Sequence, residues 1–152
     1  PARAAQRARR AVKRRTASGA STGEDFDGAG AAQQAEDASA ELGRAEGLAA
    51  IAEALALVER TGERFYEAEI WRIKGELLLK AAASNAQAEA ESCYNRAIEI
   101  ARQQSAKSWE LRATKSLARL WQQQGKIAEA RQMLVRTCSE LSRRLGAGAM
   151  SH

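Results

Sequence analysis

Proline is all but missing from this chain: the single one is Pro1. Nothing after it is barred from a helix interior by a locked φ and a missing N–H. Aromatic residues are also scarce, at 5%. Alanine, leucine, arginine, glutamate and glutamine dominate instead, a composition of helices rather than strands. No apolar run exceeds a few residues, so no membrane span is expected. No charged-then-apolar leader opens the chain, which makes a cytoplasmic address the default expectation. The one histidine, His152, is the last residue and leaves imidazole acid–base or triad chemistry nowhere to sit. Cys93 and Cys138 lack metal-ligand spacing and are expected as small buried residues. No glycine-rich phosphate loop ending in Lys-Ser/Thr occurs, and the glutamates fall on polar helix faces. The expectation is therefore no enzyme, no cofactor and no metal.

Positive charge is unevenly spread. The net charge is +5, yet residues 1–22 hold Arg3, Arg7, Arg9, Arg10, Lys13, Arg14 and Arg15 with no acidic residue. Taking those seven from 24 basic residues leaves 17 against 19 acidic ones, a net −2. The basicity belongs to an arm. Residues 1–40 carry four glycines and, after Val12, one large apolar side chain, Phe26. That is too little apolar surface to offset the entropy of ordering the backbone, so 1–40 is expected to be a disordered basic arm.

From Ala45 onward the pattern is helical. Leu48, Ile51, Leu55 and Val58 recur at steps of three or four, and Thr61-Gly62 ends that helix. The next segment has two apolar stripes, Ala68, Trp71, Gly75, Leu78 and Tyr66, Ile70, Ile73, Leu77, which predicts a helix sandwiched between neighbours. Ser84 and Asn85 are candidate caps for a third helix bearing Ala90, Tyr94, Ala97 and Ala101. Ser105 is the candidate cap of a fourth, ending at Gly125. A fifth runs from Ile127 to Leu145, closed by Gly146, with 146–152 a flexible tail. Short turns between five helices predict antiparallel hairpins over 45–145 and no strand.

The chain also repeats itself. Gly75 and Ala118 are 43 residues apart, as are Leu78 and Trp121, and Ala54 and Ala97. Small residues are needed where two helices cross closely, and large ones fill the groove beside the crossing. This pattern resembles the tetratricopeptide repeat. Leu117, Ala118, Trp121, Gly125, Ala130 and Leu134 fall at that family's spacing, with Thr137 in place of a final alanine. Trp71, Gly75, Leu78, Ala90, Tyr94 and Ala97 match it with a turn three residues longer, and Gly47, Ile51 and Ala54 supply a preceding half-repeat. The resemblance implies an all-α solenoid of antiparallel helix hairpins. Within residues 47–136, "ERTGERFYEAE" and "AKSWELRATKSLARLW" are similar to the C-terminal repeat region of large bacterial signalling ATPases. In that family an adenylate or guanylate cyclase-like domain, or a transcription-regulator module, precedes the ATPase. The arm and the segment after Leu134 depart from the family.

The resemblance implies that the first helix of each hairpin lines a groove that binds protein or peptide. By motif position the groove residues are Glu69, Arg72, Glu76, Arg112, Lys115 and Arg119. The 43-residue offset predicts Glu69 beside Arg112 and Glu76 beside Arg119. Two readings follow: a groove for an acidic peptide, or ion bridges between repeats, each contributing about 0–1 kcal/mol. A half-repeat leaves the apolar face of helix 45–60 short of a partner, so self-association or docking of a parent ATPase segment is expected. The alternative function is non-specific nucleic-acid association through the seven arm cations. No aromatic interleaves them to stack on bases, which weighs against it.

Overall fold

The computed structural model describes residues 28–81 and 83–149. Among them are five helices and no strand: α1 (Gly28–Thr61), α2 (Glu67–Lys80), α3 (Ala86–Gln103), α4 (Lys107–Gln123) and α5 (Ile127–Ala149). The chain divides after Glu53, inside α1, into two units. The first, as far as it is described, is the helical segment 28–53, on which Leu48 and Ile51 are half-exposed. The second, from Ala54, holds the remainder of α1 and the other four helices.

Helix ends follow the local chemistry, with two departures from expectation. Gly62, at φ +73°, donates its N–H to Val58 O at 2.9 Å and closes α1. Gly125, at φ +81°, closes α4 while Lys126 N–H reaches back to Trp121 O at 2.8 Å. Ser105 does not cap α4. It takes φ +53° and closes α3 in the same way, Ala106 N–H bonding Ala101 O at 2.8 Å. Asn85 stands at the cap position of α3, but its side chain bonds the Glu89 carboxylate rather than a backbone N–H. Gly146 does not stop α5, which continues to Ala149, so only 150–152 of the expected tail lie outside the described residues. At the other end, residues 28–40 are helical where no order was expected. Alanine, glutamine and glutamate propagate a helix there without an apolar stripe. Arg3, Arg7, Arg9, Arg10, Lys13, Arg14 and Arg15 lie outside the described residues.

Side-chain hydrogen bonds fix the packing order of the second unit. Gln104 Nε2, past the end of α3, donates to Arg64 O, before the start of α2, at 2.6 Å. Those two helices are therefore antiparallel. Trp121 Nε1 near the end of α4 reaches Glu91 near the start of α3 at 3.1 Å, so α3 and α4 are antiparallel too. Arg144 of α5 reaches Glu110 of α4 at 3.4 Å, which extends the alternation. As a consequence α2 and α4 run parallel and lie side by side.

The alanines answer to close helix approach. Ala90, Ala97 and Ala101 of α3 are fully buried, as is Ala130 of α5. They leave room for Tyr94, Leu117 and Leu120, the largest wholly buried apolar side chains, with Trp71, Leu78, Trp121 and Met133 packed around them. Burying each of the large ones contributes about 1.5–3 kcal/mol. Gly75 is the closest approach: a Cβ there would sit 2.7 Å from Tyr94 Cε1. The predicted sandwiching of α2 holds in part: the helix packs against both α3 and α4, yet on its second stripe Tyr66 is 62% exposed and Ile73 is exposed as well. Cys93 is buried, and burial pushes its thiol up from its ordinary value. Cys138, contrary to expectation, is exposed. No described helix is long and apolar enough to cross a membrane.

Candidate protein-binding face

The residues expected to line a groove do converge, because α2 and α4 are parallel neighbours that present Glu69, Arg72, Glu76 and Arg112, Lys115, Arg119 along one side. Glu69 and Arg112 pair at 3.1 Å, across 43 residues of sequence. The second expected pair, Glu76 with Arg119, does not form. Glu76 instead pairs with Arg72, one turn earlier on its own helix, and accepts a hydrogen bond from Ser116 Oγ of α4 at 3.3 Å. An (i, i+4) partner is always within reach on a helix, whereas a partner on another helix depends on tertiary register.

Arg72 is the hub. Its Nε donates to Glu69 Oε2 at 2.9 Å, its Nη2 to Glu69 Oε1 at 2.7 Å and its Nη1 to Glu76. The forked guanidinium meets the carboxylate of Glu69 with two parallel bonds. The Glu69 hydrogen bond, ahead of the charges of Glu69 and Glu76, raises the Arg72 pKa against the opposing effect of burial. Two carboxylates thus balance two guanidiniums in the middle of the face. Lys115 and Arg119 are exposed and form no ion pair among the described residues. The face therefore carries a surplus of positive charge at its α4 side.

Two features flank this balanced centre, and neither was anticipated. At the end where α2 and α4 begin, Phe65 and Tyr66 stack edge to face at 4.8 Å, and Tyr66 meets Trp109 at 6.4 Å. Phe65 and Tyr66 are 68% and 62% exposed, and the Arg112 guanidinium lies 5.5 Å from the Trp109 ring centre. At the other end a cavity of about 330 Å³ opens between the helices, lined by Glu76, Lys80, Tyr94, Ser116, Arg119 and Gln123. Tyr94 is 1% exposed. Burial first, then the nearby Glu76 charge, pushes its hydroxyl up to about 12.

A charged cluster that the sequence reading passed over lies away from this face. Glu110 is 2% exposed and is held by Arg102 Nε of α3 at 2.8 Å and Arg144 Nη1 of α5 at 3.4 Å. The signal was available: Glu110 stands at helical spacing from Ala113, Thr114 and Leu117, all buried, so its side chain had to enter the core stripe. Its arginines are partly exposed, which keeps their cost of desolvation low while the carboxylate is neutralised. No group of described side chains has the make-up of a metal site. No family model, no curated protein and no solved structure matches this chain.

Proposed function

We propose that the chain is a protein–protein interaction module that binds partners on the face formed by α2 and α4. One observation carries the reading. Two parallel, adjacent helices bring residues 43 apart into contact, as Glu69 and Arg112 do, and present exposed cations and exposed aromatics along one strip. Aromatic and arginine side chains are the residues that dominate recognition energetics, and a self-balanced centre with unspent positive charge beside it suits an acidic partner. On this reading the hairpins α2–α3 and α4–α5 are repeats of the tetratricopeptide type, and the similarity over residues 47–136 makes the module a C-terminal piece of a bacterial cyclase-like or regulator ATPase. The module acts by contact, not by catalysis.

The test is to pan a random dodecapeptide display library against the full chain. Selected peptides should be acidic and should lose affinity for the double reversal K115E/R119E, which alters only exposed side chains. Selected peptides that bind the double variant as tightly as the native chain would remove the α2/α4 face from the function.

A further inference from the structure

The aromatic cluster and the cavity stand at opposite ends of one strip, and their separation is fixed by a helix. Trp109 and Arg119 are ten residues apart on α4, about 15 Å at 1.5 Å per residue. An extended peptide advances about 3.3 Å per residue, so four or five residues bridge that length. The two ends differ in chemistry. The aromatic end offers Phe65 and Tyr66, largely exposed, with the edge of Trp109. The cavity end offers the Arg119 guanidinium, in no ion pair among the described residues, the Lys80 ammonium, and Tyr94, which lines the cavity. A carboxylate entering the cavity can accept hydrogen bonds from the Arg119 guanidinium and the Tyr94 hydroxyl, and bonds to a charged acceptor are the stronger kind. Glu76 also lines this cavity, with its charge engaged by Arg72. Its presence favours a singly charged group over a dianion such as phosphate.

Resting on the interaction reading above, we infer that this face selects a two-point peptide signal: an apolar side chain on Phe65, Tyr66 and Trp109, and four or five residues away a carboxylate bound by Arg119 and the Tyr94 hydroxyl. The Glu69–Arg72–Glu76–Arg112 network lies between the two points and holds α2 and α4 in register. It makes no demand of its own on the peptide.

The experiment uses the full chain and fluorescein-labelled Ser-Gly dodecapeptides, each with one Phe and one Glu at separations from one to nine residues, read by fluorescence anisotropy. The tightest binding is expected at separations of four and five, with affinity about fivefold lower at one and nine. Replacing the peptide Glu by Gln should cost about fivefold, as should R119A, and the two losses should not add, because they remove the same contact. Y94F deletes the hydroxyl, leaves the ring in the core, and should weaken the Glu peptide more than the Gln peptide, because the charged acceptor makes the stronger bond. Affinity that ignores separation, unchanged binding to R119A, no detectable binding of any peptide in the set, or tighter binding of phosphoserine in place of Glu would each overturn the inference. Library-selected peptides that bind α2 and α4 but lack the apolar–acidic pair would overturn it while leaving the interaction reading intact. Failure of both peptide sets to bind this face would bring down both.

Discussion

Replacing Gly75 by alanine sets two effects of known sign against each other. Alanine in a helix interior is favoured over glycine by about 1 kcal/mol, because glycine loses more backbone freedom on folding. At Gly75 the new methyl would meet Tyr94 Cε1 at 2.7 Å, Cδ1 at 3.0 Å and Cζ at 3.1 Å. Carbon atoms pack at roughly 3.5–4.0 Å, so the ring would have to retreat by most of an ångström. Tyr94 is 1% exposed and surrounded by Ala90, Ala97, Leu117 and Leu120, so it can retreat only by carrying α3 away from α2. Overpacking of this kind costs about 1–3 kcal/mol, so after the gain in helix propensity the net effect of G75A is a loss of about 0–2 kcal/mol. For a unit of this size each 1 kcal/mol lost lowers the melting temperature by roughly 4–8 °C. Gly146 is the internal control, since it lies within α5 and a Cβ there meets nothing within 4 Å. G146A should therefore be neutral to stabilising. Urea unfolding followed by circular dichroism compares the two directly. G75A equal to or above G146A in stability would refute the close crossing of α2 and α3 at this point.

Other outcomes follow from the same structure. Ser105 holds a left-handed backbone at φ +53°, which costs a non-glycine residue about 1–2 kcal/mol, so S105G should raise the urea midpoint, and an unchanged or lower midpoint would contradict the closure assigned to it. E110A removes a buried carboxylate bound by two arginines and should cost about 1–3 kcal/mol; a loss below about 0.5 kcal/mol would show that the cluster contributes little. The Tyr94 hydroxyl is raised to about 12 from an ordinary 10, so the folded state holds this proton more tightly than the unfolded chain. The contribution is complete below pH 10 and is lost as pH climbs toward 12, and Y94F should flatten the alkaline fall in stability that the native chain shows.

How far the sequence is legible can be judged residue by residue. The small-beside-large rule found the closest helix crossing, at Gly75 and Tyr94, because steric demand is written in residue size. The 43-residue offset found the Glu69–Arg112 contact, because the helices carrying those residues lie parallel. It failed at Glu76, where a same-helix guanidinium at the (i, i+4) position was available at lower entropic cost than one on α4. It failed at Ser105, since the residue type that caps helix starts can also sit, with strain, in the turn that ends one. The helix over residues 28–40 escapes the sequence for a different reason: hydrophobic periodicity finds helices by their buried stripe, and this segment has helix propensity without a stripe. The aromatic cluster and the Tyr94 cavity needed the fold, since Phe65, Tyr66, Trp109 and Arg119 come from two turns or helices that only packing brings together.

The claim that α2 and α4 form the contact face is tested most directly by mapping amide chemical-shift changes as a library-selected peptide is titrated into the isotope-labelled full chain. The account predicts changes concentrated on residues 65–80 and 107–123, strongest around Trp109 and Arg119, with α5 beyond residue 127 unaffected. Changes centred on α5, or spread evenly over all the helices, would contradict it.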